Sequence, residues 1–188
     1  MQEGRTTRDR PAGRRDTVVL VDGAGVPTGV ADKLAVHEAP GRLHLAFSVV
    51  LYRPDGRVLL QQRAAAKYHF PLTWANSCCS HPRPGEDIVE SAELRVKDEL
   101  GLECRLRDVA TFTYRALCPV SGLVEHEFDH VLVGVVEADP APDPAEVARV
   151  RWLVPAEVLE VPPADSAPWL LPVLRLAEEA RRAASPPG

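Results

Sequence analysis

One segment constrains the fold more than any other: residues 86–101, EDIVESAELRVKDELG. Ile88, Ala92, Val96 and Leu100 recur near helical spacing and would line one apolar face. Asp87 is placed to cap the first turn, with Glu90 three residues on completing a capping box. Gly101 stands where a left-handed residue ends a helix. What precedes this helix reads as strand: TVVLVD (17–22) before a DGAG turn, LHLAFSVVLY (43–52), an RPDG hairpin turn, and RVLLQQR (57–63) pairing back. Strands are expected again at about 106–114 and 127–136 and at VRWLV, and the helical segments PAEVLE and APWLLPVLRLAEEARRAA follow. A helix set among strands, with helices at the end, predicts an α+β chain: an α/β sandwich built on a mixed sheet flanked by helices.

Composition narrows the function. The 188 residues suit one domain with a real core, expected over 17–180. Residues 1–16, rich in Arg, Pro and Gly, are expected to be a disordered tail without the apolar core of a secretory leader, and 181–188 a second tail. A net charge of −5 argues against nucleic acid as the main partner. No run approaches the roughly 20 apolar residues of a membrane span, so no membrane partner is expected. Cysteines at 78, 79, 104 and 118 match no disulfide framework, which favours a reducing, cytoplasmic location.

The chemistry concentrates in a few places. A long irregular stretch, 64–85, holds WANSCCSHP, and a loop of that length in a compact domain is usually functional. Its thiols and imidazole can be half a metal site, a nucleophile with its base, or core filler beside a turn. If this stretch is extended, Cys78 and Cys79 point opposite ways, and Cys79 shares a neighbourhood with His81. In EHE (125–127) a strand would put Glu125 and Glu127 on one face and turn His126 away. Two buried like charges need a cation or a shared proton. With His37, His44 and His81, such a pair suits a divalent transition metal, whereas an exposed acidic strand end would bind nothing. Asp98 and Glu99 sit in the last helical turn, where acids oppose the macrodipole, so a positive partner such as Mg²⁺ or lysine fits there; a solvated helix end is the plainer account. Arg63, Lys67 and Lys33 lie close in sequence to these residues, and cations beside a metal site suit a phosphorylated substrate.

LHLAFSVVLY, WANSCCSHP, GEDIVESAELRVKDELG, YRALCPVSGLVEHE and APW, in that order, resemble the type I isopentenyl-diphosphate Δ-isomerases, members of the Nudix superfamily, over about residues 17–176. The resemblance implies a Nudix fold and an isomerase that converts isopentenyl diphosphate to dimethylallyl diphosphate in isoprenoid biosynthesis. It implies that His37, His44, His81, Glu125 and Glu127 hold Mn²⁺ or Zn²⁺, and that Glu99 helps hold a Mg²⁺ arriving with the diphosphate. Cys79 and Glu127 would be the catalytic acid/base pair, assisted by Tyr114. Lys33, Arg63, Lys67 and Arg95 would contact phosphates, and Trp169 would cover the hydrocarbon end. The partner would be this small isoprenoid diphosphate; oligomeric state is left open. Two other readings stand beside it. A Nudix pyrophosphohydrolase would need the acids of an intact Nudix box, but here the usual Arg-Glu pair falls on Leu94 and Arg95 and the Glu-Glu pair on Asp98 and Glu99. A zinc-binding module would use both Cys78 and Cys79 as ligands.

Overall fold

The computed structural model describes residues 17–184. The chain folds as β1 (Thr17–Val21), β2 (Pro27–Asp32), α1 (Lys33–His37), β3 (His44–Tyr52), β4 (Val58–Arg63), β5 (Trp74–Ala75), β6 (Cys78–Ser80), α2 (Ile88–Leu100), β7 (Arg107–Leu117), β8 (Val124–Val135), β9 (Val147–Leu153), α3 (Pro155–Glu160) and α4 (Leu170–Ala184). Residues 1–16 and 185–188 of the expected tails lie outside the described residues, and residues 181–184 form the last turn of α4. Among the described residues no helix is long and apolar enough to cross a membrane.

The sheet is mixed, as expected. β3 runs parallel to β8 along its whole length, from His44 opposite Glu127 to Tyr52 opposite Val135. Its other edge is shared by β1, β6 and β4 in turn, all antiparallel. β7 pairs with β8, and β9 with β4.

Alternation along β3 divides the core. Phe47, Val49 and Leu51 face α2 and meet Ala92, Val96 and Leu100. Val50 and Tyr52 face the other way, toward Leu170, Val173 and Leu174 of α4. Burying each of these large apolar side chains stabilises the fold by about 1.5–3 kcal/mol. The Asp87 carboxylate accepts from the Val89 and Glu90 amides, and Gly101, at φ 67°, closes α2 with its N–H on the Lys97 carbonyl.

Some elements were not legible in advance. β2 carries Pro27 and Gly29 and is nearly all exposed, so it shows no alternation. α1 has only five residues and is held by its Asp32 cap, whose carboxylate accepts from the Ala35 amide. The stretch 64–85 is not wholly irregular, since β5 and β6 lie within it. These strands of two and three residues are too short for any period to register.

Candidate active site

The site lies on the face of β3 opposite α2. His44 and Ser48, four residues apart, share that face, which neighbouring strands extend. β8 lies on one side and places Glu125, Glu127 and Asp129 there by alternation, all buried. β6 lies on the other, with Cys79 opposite Ser48. α1 brings in His37, and the turn from α1 into β3 uses Gly41 at φ 81°, where a Cβ would come within 2.6 Å of Val124. His126 points away as expected and bonds the Gly41 carbonyl at 3.1 Å.

One ligand atom from each of His37, His44, His81, Glu125 and Glu127 falls within 4.8 Å of the others. His37 and His44 are fully buried, and Glu125 and Glu127 are 4% and 8% exposed. Backbone carbonyls set two of the rings: His37 Nδ1 donates to the Lys33 carbonyl at 2.6 Å and His44 Nδ1 to the Arg42 carbonyl at 2.8 Å. In their neutral forms these histidines then turn Nε2 lone pairs inward. There His37 Nε2 lies 2.9 Å from Glu125 Oε2, and His44 Nε2 lies 3.1 Å from His81 Nε2, which is 2.9 Å from Glu127 Oε1. Lone pairs facing lone pairs leave the cluster short of positive charge. Protons on the imidazoles, or one divalent cation, supply it, and nitrogen and carboxylate donors suit such a cation.

The electrostatics agree. Burial and the Glu127 charge push Glu125 up, yet hydrogen bonds from His37 and His69 carry it down to about 2. Burial also resists ionisation of Glu127, but His44 and His81 hold it well below the usual carboxylate range. His81 is lowered to about 3 by burial and by the nearby Lys33 charge. Asp129 goes the other way: burial and the Glu127 charge raise it well above a normal aspartate, and its Oδ1 has no partner.

Cys79 sits beside this cluster as a thiol. Its Sγ donates to Asn76 Oδ1 at 3.0 Å, and burial with the Asp129 charge pushes its pKa to about 12. Ser48 Oγ is 3.6 Å from the sulfur and donates to Asp129 Oδ2 at 2.7 Å. Tyr114 donates to Glu127 Oε2 at 2.7 Å. A single cavity is lined by Cys79, Tyr114, Glu125, Glu127 and Trp169 and by the cations Lys33, Arg63, Lys67 and Arg95. The Trp169 ring packs edge-on to Phe70, 5.1 Å between centroids, and the Arg63 guanidinium lies 5.9 Å from its centre.

Two residues fall elsewhere. Glu99 is buried at the end of α2, paired with Arg95, and is not among that cavity's lining residues. Cys78 faces the α2 core, fully buried. β6 therefore sends the adjacent thiols to opposite faces, and no single ion takes both. The remaining Nudix-box acids do not converge either: Glu86 accepts from the Arg83 amide and the Ser91 hydroxyl, and the described residues hold no second group of metal-binding type.

Four site neighbours were absent from the sequence reading. Asp129 and Ser48 carried a signal, since they continue the alternation begun by Glu127 and His44. Asn76 lies inside the quoted WANSCCSHP motif. His69, whose Nδ1 is 2.8 Å from Glu125 Oε1, carried none, because it lies on a loop with no period to place it.

Comparison with known proteins bears on the fold and the family. A NUDIX domain model matches residues 42–177. The isopentenyl-diphosphate Delta-isomerase of Nocardia farcinica is 52% identical over 168 residues, covering 88% of this chain and 96% of that protein. The enzyme of the same name from Streptomyces coelicolor is 47% identical, covering 87% and 84%. Among solved structures, a Deinococcus radiodurans protein superposes with a TM-score of 0.67 at 20% identity, over 90% of this chain and 99% of that one. A MutT protein from Methanosarcina mazei gives 0.61 at 16% identity, over 73% and 94%. These last two establish the fold alone. With the Nudix sheet, the His/Glu cluster and relatives about half identical over nearly their whole length, the chain belongs to the isopentenyl-diphosphate Delta-isomerase family of Nudix proteins.

Proposed function

We propose that this protein isomerises isopentenyl diphosphate to dimethylallyl diphosphate, for isoprenoid biosynthesis. One observation carries the reading: a single cavity joins an acid/base pair, an aromatic wall and four cations. Lys33, Arg63, Lys67 and Arg95 bind the diphosphate. In the free protein Lys67 and Arg95 are paired with Glu146, and Arg95 also with Glu99, so substrate exchanges those carboxylates for phosphate oxygens.

The hydrocarbon end lies among Cys79, Glu127 and Trp169. One member of the Cys79–Glu127 pair delivers a proton to the terminal alkene carbon. The resulting tertiary carbocation then loses a proton from the neighbouring methylene to the other member. The register favours this division, because β6 and β8 flank β3 and present the two groups from opposite sides of it. Tyr114 donates to Glu127 and steadies its charge. The indole face of Trp169 offers the cation electron density worth about 2 kcal/mol in a dry site. Packing of Phe70 against Trp169 helps exclude water, which would otherwise capture the cation as an alcohol.

His37, His44, His81, Glu125 and Glu127 would hold Mn²⁺ or Zn²⁺. Glu99, paired with the cavity-lining Arg95, would help hold the Mg²⁺ that accompanies the diphosphate once that pair opens. A divalent ion among those five residues supplies fixed positive charge beside Glu127 and Tyr114. The cysteine usage favours a cytoplasmic protein.

The test is an NMR assay of purified protein with isopentenyl diphosphate, Mg²⁺ and Mn²⁺ in deuterated buffer. Loss of the terminal alkene protons, gain of an allylic signal, deuterium uptake and an intact diphosphate are expected. Phosphate release with the alkene unmoved would sink the reading in favour of a hydrolase.

A further inference from the structure

His69 has no part in the chemistry above, yet it is built into the site. It is 7% exposed and lines the same cavity as Cys79 and Glu127. Its ring stacks on His37, with centroids 4.9 Å apart and planes 16° from parallel. Its backbone is held as well: Arg63 Nη2 donates to the His69 carbonyl at 3.1 Å, and Arg63 Nε to the next carbonyl, Phe70, at 3.1 Å. Phe70 sits at φ 47°, a left-handed value that costs a bulky residue of order 1–3 kcal/mol and persists only where surrounding contacts enforce it.

The consequence falls on Glu125. Its two oxygens are divided between two rings: Oε2 is 2.9 Å from His37 Nε2, and Oε1 is 2.8 Å from His69 Nδ1. His37 is a member of the five-residue ligand group and His69 is not. The terminal torsion of a glutamate is broad, so an unheld carboxylate can swing. With Oε1 bound by His69, the plane of the carboxylate is set and Oε2 remains on the side of His37.

We propose that His69 is a positioning residue of the metal centre: it grips Glu125 by Oε1, so that Oε2 is the oxygen presented to the ion. This rests on the reading of the five residues as a metal site. Hydrogen bonds to the outer atom of a ligand typically govern metal affinity by about 10–100-fold. The role needs a donor at the place of Nδ1, not an imidazole as such, and asparagine can put an amide N–H near that position.

The experiment strips the purified protein with chelator and titrates Zn²⁺ in competition with a chromophoric chelator, for wild type, His69→Leu and His69→Asn. His69→Leu is expected to bind about 10–100-fold more weakly. His69→Asn should recover most of that loss. Circular dichroism of each stripped protein shows whether it is folded, and His69→Asn decides the matter if His69→Leu is not. Wild-type affinity in a folded His69→Leu would overturn the proposal, as would a folded His69→Asn that binds ten-fold or more weakly than wild type. A wild type that binds no ion would instead overturn the metal reading, and the proposal with it.

Discussion

Cys78 and Cys79 are neighbours on a three-residue strand, and they face different worlds. Cys78 looks into the layer between the sheet and α2, among Phe47, Val49, Ala92, Val96 and Leu100. Cys79 looks into the opposite face, among Asn76, Ser48 and the carboxylates of β8. The two faces belong to the same strands. On one, every second residue is apolar and burial stabilises. On the other, His44, Ser48, Glu125, Glu127 and Asp129 are buried polar groups whose desolvation costs free energy unless each finds a partner. The polar groups are tolerable because the strands that carry them are fixed by the α2 layer on one face and, farther along the site's own face, by the α4 layer.

That division is open to test. The largest effect should come from the polar face: Cys79→Ala or Glu127→Gln should lower the isomerisation rate by about 10²–10⁴-fold. Metal content, read by elemental analysis, should stay near normal in Cys79→Ala and fall in Glu127→Gln. Normal turnover in Cys79→Ala would remove this thiol from the reaction. Next comes the apolar face, where Leu100 of α2 and Leu132 of β8 are fully buried in one cluster, and Leu100→Ala or Leu132→Ala should cost about 2–5 kcal/mol in denaturant unfolding. Activity per folded molecule should hardly change, and a rate loss matching that of Cys79→Ala would mean that the faces are not separable. Cys78→Ala should be milder, about 1 kcal/mol, with activity retained.

The polar face should also announce itself in the pH dependence of stability, measured with chelator present. Glu125 is lowered from 4.5 to about 2, so its contribution is present above 4.5 and is lost as the pH falls toward 2. Asp129 is raised above 3.8, so it acts with the opposite sign, and stability is lost as the pH rises above that value. Glu125→Gln should flatten the acid limb, while Asp129→Asn should raise stability at neutral pH. If Asp129→Asn were destabilising there, its carboxylate would be a paired charge and the contrast between the two residues would be wrong. The smallest effect expected is in hydrogen exchange. Residues 17–45, which carry Lys33 and His37 to the site, should exchange more slowly with a substrate analogue bound, and unchanged exchange would show that substrate does not order this segment.

Much of this was open to reading from residue order. The capped helix α2, the long strand β3 and the alternation in EHE are local patterns, and their periods of 3.6 and 2 are set by backbone geometry. The histidines and carboxylates of the cluster, Cys79 and the four cations are residue types whose chemistry is known before they are folded. The opposite orientation of the two thiols also follows from period alone, once the stretch is extended. What alternation could not supply was distance. That β3 lies between β6 and β8, and so puts Cys79 and Glu127 on its two flanks, depends on pairing between segments far apart in sequence. That Glu99 is buried against Arg95 and does not itself line the cavity depends on how α2 packs. That His69, on a loop without periodicity, stacks on His37 and holds Glu125 depends on three segments meeting. Local order dictates which way a side chain points along its own element; only the packing of elements decides what it meets there.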